Sequence, residues 1–357
     1  MEITCRKFDY NKELKEQRCL FVDCFPENLG TKVISEEYYK WKFQSFPTEN
    51  LKSYEYVALK DNEEMVGYYA AIPYRYKIGD EILNVGMVCD VMTSSKYRGV
   101  GIFTKLGRFS TEQFGKEGLA FSTGYPIRKT VLPGHIKVGW KVAFDMPLYM
   151  HFLSMSSLLK TRGHGWLSYV ANPCVSLYNL FLSKRNDKKY IIKIYNNPNS
   201  IGGYDDFEKK WRREVPNALV KDAAFMNWRY GAMGKEYVYI CAYDKNRLVG
   251  MMAASPIVKE GVPSYGVLDF MVLNDDRKCL NNLHNAIKKL ARENKKEAIM
   301  MMMSRPSCKK YSLLSNAYLR SPFIFHFIVK KYKESLNEDL LYDVNNWHLM
   351  FVDSDDL

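Results

Sequence analysis

Val85 to Trp140 reads VGMVCDVMTSSKYRGVGIFTKLGRFSTEQFGKEGLAFSTGYPIRKTVLPGHIKVGW. An apolar strand, Val85–Thr93, runs into a turn with an arginine and two glycines, Tyr97-Arg98-Gly99-Val100-Gly101. Amphipathic spacing predicts a helix over Phe103–Gly115, and Leu119–Gly124 is apolar again, a second strand. Strand, glycine turn, helix and parallel strand make an α/β unit with an anion site. The turn amides and the helix N-terminus point their N–H groups at one place. The amides of Gly99 to Thr104 can reach a phosphate there without side-chain obstruction, and Arg98 adds a positive charge.

Upstream, Ile3–Phe8 alternates as an opening strand, and Asn11–Phe25 has helical spacing closed by Pro26 and Gly30. Ser35 before Glu36 and Glu37 is the N-cap of a second helix reaching Phe43. Tyr54–Leu59 and Met65–Pro73 are strands joined by Asp61-Asn62, a hairpin signal. Downstream, Lys141–Leu153 has room for two short strands around Asp145-Met146-Pro147. Residues 154–200 read as a connector, first apolar and helical, then basic, then turn-rich at Asn196-Asn197-Pro198-Asn199.

The remainder echoes the beginning. Lys221–Tyr230 carries Trp228 where Ser35–Phe43 carries Trp41, both core anchors by their apolar context. Leu248–Pro256 matches Met65–Pro73, Tyr265–Asp269 matches Val85–Asp90 with a one-residue slip, and Leu280–Asn294 and Ala298–Met303 supply the later helix and strand. The order predicts a tandem repeat, with domains at 1–153 and 201–357 about the connector. The copies differ chemically. Where the first has Arg98-Gly99-Val100-Gly101, the second has Asn274-Asp275-Asp276-Arg277-Lys278, a poor cradle for an anion.

Composition narrows the function classes. A chain of 357 residues suits two domains of about 150 residues each. The net charge of +12 is spread along helices and is densest from Lys184 to Lys193; it reads either as a solvated linker and helix face or as attraction to an acidic partner such as a phosphorylated substrate or an anionic lipid surface. No nucleic-acid-binding signature accompanies it. Eight cysteines without CxxC pairs, and no N-terminal apolar leader, fit a reduced cytoplasm. The histidines show no metal spacing, and no metal is expected. The longest apolar stretch, Trp166 to Ser183, is interrupted by Asn172, Pro173 and Asn179; it reads as a buried or interfacial amphipathic helix, not a membrane span.

At Arg98-Gly99-Val100-Gly101-Ile102-Phe103 the sequence resembles the GNAT superfamily of acetyl-CoA-dependent N-acetyltransferases, whose signature is R/Q-x-x-G-x-G/A between the fourth strand and third helix. Phe103 replaces the last small residue. Lys137-Val138-Gly139-Trp140 is similar to the family's K-L-G-F ending. The resemblance implies two tandem mixed-sheet units, the first catalytic and the second degenerate. It implies that acetyl-CoA places its pyrophosphate on Arg98, Gly99, Val100, Gly101, Ile102, Phe103 and Thr104, and its pantetheine arm along Val91, Met92 and Thr93.

Acetyl transfer to an amine needs a base, because only the neutral amine attacks, and a proton source for the departing thiolate. Asp90, at the end of the strand that would deliver the acyl group, is the candidate base; the competing reading is a turn-capping carboxylate. Family members often carry a tyrosine four residues before the glycine of the ending motif, and His135 stands there here. It is the candidate acid or, alternatively, a structural helix histidine, with Tyr125 as a nearby second donor. Cys89 neighbours Asp90, but strand alternation turns the two side chains to opposite faces. The expected reaction is direct acetyl transfer to a primary amine of a small molecule or sugar. Two rivals stand beside it: a Fem-type aminoacyl transferase, which the glycine cradle argues against, and an acyl-CoA-binding module without catalysis.

Overall fold

The structure, a computed structural model, describes residues 1–47, 53–128 and 130–355. The chain divides into two compact units. The first holds Met1–Phe144, Gly231–Gly234 and His326–Asp343; the second holds Asp145–Tyr230, Lys235–Phe325 and Val344–Leu357. The division falls inside what sequence spacing gives as the end of the first domain, and residues 154–200 belong to the second unit instead of standing apart.

In the first unit the chain runs β1 (Ile3–Lys7), α1 (Tyr10–Cys24), α2 (Glu36–Gln44), β2 (Tyr54–Lys60), β3 (Glu64–Ile78), β4 (Glu81–Thr93), α3 (Ile102–Lys116), β5 (Phe121–Gly124) and α4 (Leu132–Val138), then enters β6 (Lys141–Phe152). Local chemistry sets these boundaries. Asp9 caps α1 by accepting from Asn11 N–H, and Ser35 caps α2 by accepting from Tyr38 N–H. Asp61 and Asn62 both take left-handed backbone (φ 50° and 64°), the geometry of a tight hairpin turn that asparagine and aspartate tolerate. β1 to β4 pair antiparallel in sequence order, and β4 pairs β5 in parallel. On one sheet face Tyr56, Val66, Tyr69 and Ala71 pack with Ile102, Leu106 and Phe114 of α3, and with Val138 and Trp140. Each large apolar side chain buried there contributes about 1.5–3 kcal/mol.

The second unit continues with α5 (Ser156–Thr161), α6 (Ser168–Phe181), β7 (Ile191–Tyr195), α7 (Tyr204–Glu214), β8 (Asn217–Leu219), α8 (Ala223–Arg229), β9 (Val238–Asp244), β10 (Arg247–Lys259), β11 (Val262–Val272), α9 (Arg277–Glu293), β12 (Ala298–Met302) and α10 (Arg305–Lys310); β13 (Leu319–Lys331) then passes into the first unit, which also holds α11 (Glu338–Tyr342), and β14 (Trp347–His348) returns to the second. Its sheet repeats the grammar of the first: β9, β10 and β11 antiparallel, then β12 parallel to β11. The β9–β10 turn, Lys245-Asn246, again has two left-handed residues. β6 is one strand, not the two short ones expected around Pro147. Its pairing with β12 runs from Leu148 to Phe152, and the Pro147 carbonyl just before it accepts from Met303 N–H at 3.3 Å. The basic connector also contains a strand, because Ile191–Tyr195 adds to β9.

The first unit takes back its last strand from far along the chain. Ile328–Lys331 of β13 pairs antiparallel with Phe121–Gly124 of β5.

Candidate active site

The glycine turn folds as its composition demands. Gly99 (φ 84°) and Gly101 (φ 88°) are left-handed, a conformation that costs other residues about 1 kcal/mol or more. Nothing lies within 4 Å of where a Cβ would stand on either, so both face open space. Gly101 is the N-cap of α3 and offers no side chain to the first-turn amides. Those amides, with the positive end of a 15-residue helix behind them, are therefore available to an anion. Arg98, Val100 and both glycines are exposed at the turn, and Thr104 is half-buried beside it. Ile102 is buried in the core and anchors the helix start. Phe103, the residue that departs from the family signature, turns away from the cradle. Its ring meets His135 edge-on at 5.2 Å and covers Gly134, where a Cβ would lie 2.6 Å from the ring.

The approach to the turn is equally suited to an extended ligand. Parallel pairing of β4 with β5 stops at Met87 and Thr123, yet β4 runs on to Thr93, supported by β3. Val91, Met92 and Thr93 thus belong to a strand end paired on the β3 side beyond the last β5 contact, where a strand-like arm can add backbone hydrogen bonds. The loop that follows is fixed by Asp23, which accepts from Ser95 N–H and hydroxyl; those bonds hold its carboxyl below the usual range.

Asp90 sits in a bulge of β4, since Ala70 pairs Cys89 while Tyr68 pairs Met92. Its φ of 47° breaks strand alternation. The expectation that Cys89 and Asp90 face apart is therefore corrected: their Sγ and carboxylate lie within 4.8 Å of each other. Asp90 accepts a 2.8 Å hydrogen bond from Lys42 Nζ, and both side chains are at least nine-tenths buried. Next to this pair Glu55 of β2 accepts from Tyr39 and Tyr68 hydroxyls and from Ser53. Burial raises the Glu55 carboxyl, and the Asp90 charge adds to that. Sequence spacing alone missed Lys42, Glu55, Tyr39 and Tyr68. The one available signal was a glutamate at an inward position of a strand otherwise apolar on that face.

His135 is not placed as an acid. It is buried between Phe103 and Trp140, with Nδ1 3.5 Å from the Tyr69 hydroxyl, and burial lowers its pKa to about 4. A ring held neutral at pH 7 has no imidazolium proton to give, and its neighbours are those of a packed core side chain. Tyr125 is half-buried just past the end of β5, its ring 5.4 Å from Phe327.

The second unit lacks an equivalent cradle. Asp276 Oδ1 accepts from Lys278 N–H at 2.8 Å and Cys279 N–H at 3.1 Å, so the N-terminus of α9 is already occupied by its own carboxylate. Asp269, which sequence spacing matches to Asp90, is fully buried against Lys221 at 2.8 Å and His348 at 3.3 Å.

Residues 10–143 match the family model described as acetyltransferase (GNAT) domain. Among solved structures, the chain is similar to a GCN5-related N-acetyltransferase from Anabaena variabilis ATCC 29413 (TM-score 0.66, 11% identity, covering 96% of this chain and 75% of that one). It is similar also to a conserved protein of unknown function from Enterococcus faecalis V583, described as a probable N-acyltransferase (TM-score 0.64, 13% identity, covering 93% and 73%). At these identities the likeness is one of fold. No curated protein sequence matches significantly.

Proposed function

We propose that the chain, whose residues 10–143 match the acetyltransferase (GNAT) domain, moves an acetyl group from acetyl-CoA to a primary amine of a small molecule or sugar. The uncapped α3 N-terminus behind two left-handed glycines carries this reading. The residues fit the group: amides of Gly99 to Thr104 with Arg98 would hold its pyrophosphate, and Val91 to Thr93 its pantetheine arm. When bound, acetyl-CoA supplies an activated thioester carbonyl.

The chain's own groups would do the rest. The incoming ammonium must lose a proton before its nitrogen can form the new C–N bond, and the sulfur must gain one as the C–S bond breaks. Asp90, in the bulge near the end of β4, is the candidate base, though Lys42 competes for it. Tyr125, just beyond β5, is the remaining candidate to return a proton to sulfur. The second unit, whose helix caps itself with Asp276, is read as a degenerate copy that binds no acyl-CoA. Cytoplasmic residence is part of this reading and is supported by eight cysteines that are all free thiols. Among the described residues no helix is long and apolar enough to cross a membrane.

The Lys42–Asp90 pair also favours a second reading, an acyl-CoA-binding module without transfer. One experiment separates the two. Acetyl-CoA is incubated with a panel of amines while thiol release is followed, and protection by CoA against thermal unfolding is measured in parallel. Amine-dependent thiol release supports the transferase; protection without release supports the module; neither overturns the cradle.

A further inference from the structure

The helix α6 wears its apolar side chains outward. Its two asparagines do the docking: Asn172 accepts from Met155 N–H at 2.9 Å and donates to Ser156, and Asn179 donates to the Phe152 carbonyl at 2.8 Å. Seven residues apart, they lie on one face. On the outer side Tyr169, Val170, Leu177, Leu180 and Phe181 follow helical spacing into solvent, with Trp166 in the turn just before the helix; Trp166 is 68% exposed, Tyr169 85% and Phe181 86%. None of the 14 residues of α6 is buried. A contiguous apolar face of this kind marks an interaction surface.

Charge says what covers it. No Asp or Glu occurs between Asp145 and Asp187, while Lys160 and Arg162 precede the helix and Lys184, Arg185, Lys188 and Lys189 follow it. At the C-terminal end of α6, Asn179, Ser183 and Lys184 line a cleft of about 280 Å³ together with His151, Lys288 and Arg292. Lys288 is more than nine-tenths buried, and among the described residues its ammonium meets no carboxylate. It stands one turn from Arg292 on α9, where like charges repel. Burial, with Arg292 and Lys184, pushes Lys288 down to about 8. His151 is buried there too, with Nε2 unpartnered. Asn285 of α9 fixes the cleft wall by donating to the Lys184 carbonyl at 2.8 Å. Three cations around one small polar cleft ask for an anion.

We infer that α6 lies in the surface of a membrane rich in anionic phospholipid, with its apolar face among the acyl chains and a lipid phosphate in the Lys184–Lys288–Arg292 cleft. At roughly 21 Å, 14 residues cannot span about 30 Å of hydrocarbon but suit an interfacial helix. A second copy is the weaker occupant. Antiparallel packing of α6 on its twin sets Lys160 and Arg162 against Lys184 and Arg185 with no carboxylate between them. The inference does not rest on the proposed acyl transfer.

The test is sedimentation of the full chain with vesicles of phosphatidylcholine alone and of phosphatidylcholine mixed with phosphatidylglycerol, at low and high salt. Binding is expected to the mixed vesicles only and to weaken at high salt. Tyr169→Ser with Phe181→Ser, both at exposed positions, should cut partitioning roughly tenfold or more without changing the melting temperature. Lys288→Gln should weaken it by roughly fivefold; should that variant unfold, the exposed Arg292→Gln gives the same reading. The inference is overturned by equal binding to both vesicles, or by none. It is overturned also if free glycerol phosphate protects the fold through Lys288 while vesicles are ignored, or if light scattering shows a dimer that the double serine variant abolishes.

Discussion

Lys42 donates to Asp90 across 2.8 Å with both side chains at least nine-tenths buried, and Asp90 holds a left-handed backbone in a bulge of β4. A buried ion pair is costly to break on one side, because the survivor keeps its desolvation penalty. Asp90→Asn preserves the backbone preference and removes the charge, so it should lower stability by about 3–5 kcal/mol. Lys42→Met combined with Asp90→Asn should recover much of that loss. Denaturant unfolding of the three variants checks it. If Asp90→Asn keeps wild-type stability and loses only acyl transfer, Asp90 is the base and not a structural partner.

Gly101 and Asp276 open α3 and α9 in opposite ways, one uncapped and one capped by a carboxylate. Gly101→Asn and Gly101→Asp carry similar strain at φ 88°, since both residues tolerate left-handed backbone. Only the aspartate brings a negative charge to the α3 amides. CoA affinity, measured by calorimetry, should fall about tenfold further in Gly101→Asp than in Gly101→Asn. Equal losses would place the pyrophosphate elsewhere.

The glycine turn, α3 and the Asp61-Asn62 hairpin were legible because each is decided within a few residues, by left-handed backbone or by apolar spacing. Recognition of the family rested on the same short window, now matched by the domain model over 10–143. The pairing of β13 with β5 was not legible, because about 200 residues separate the partners and no local pattern encodes it. Lys42 was unreadable for a related reason: a lysine among Tyr39, Lys40, Trp41 and Phe43 has the same look whether it faces water or a buried aspartate. The burial of His135 was not legible either, because sequence spacing does not report it. The helix over 166–183 was legible as a helix, but not that its asparagines would face inward.

Acid sensitivity follows from the buried histidines. His135 is lowered from 6.5 to about 4 by burial, and His151 to about 3 by burial and Lys288. Between those values and 6.5 the unfolded chain binds protons that the folded chain refuses. Stability should therefore rise with pH up to about 6.5 and gain nothing further from these groups above it. Roughly 3 kcal/mol attaches to His135 over that window, at 1.36 kcal/mol per unit. Urea unfolding at a series of pH values should show a shallower acid limb in His135→Gln. Acyl transfer by that variant should keep its pH profile, since the ring is neutral at working pH; a lost limb near 6.5 would restore it as a proton donor.

Phe103 and Gly134 form the most specific steric coupling beside the cradle. A Cβ at 134 would stand 2.6 Å from Phe103 Cε1 and 2.9 Å from Cδ1, closer than carbon atoms approach. The ring has little room to yield, because His135, the next residue of α4, meets it edge-on at 5.2 Å. Gly134→Ala should therefore destabilise by about 1–3 kcal/mol, the ordinary cost of overpacking. The same push displaces the first turn of α3, which bears Phe103, so CoA affinity should fall with it. Phe103→Leu shortens the obstructing edge and should rescue both stability and affinity in the Gly134→Ala background. A double-mutant cycle by thermal unfolding measures the coupling, expected at about 1 kcal/mol or more. Strict additivity would mean that α4 gives way instead of the ring, and that the helix opening the cradle is not held from this side.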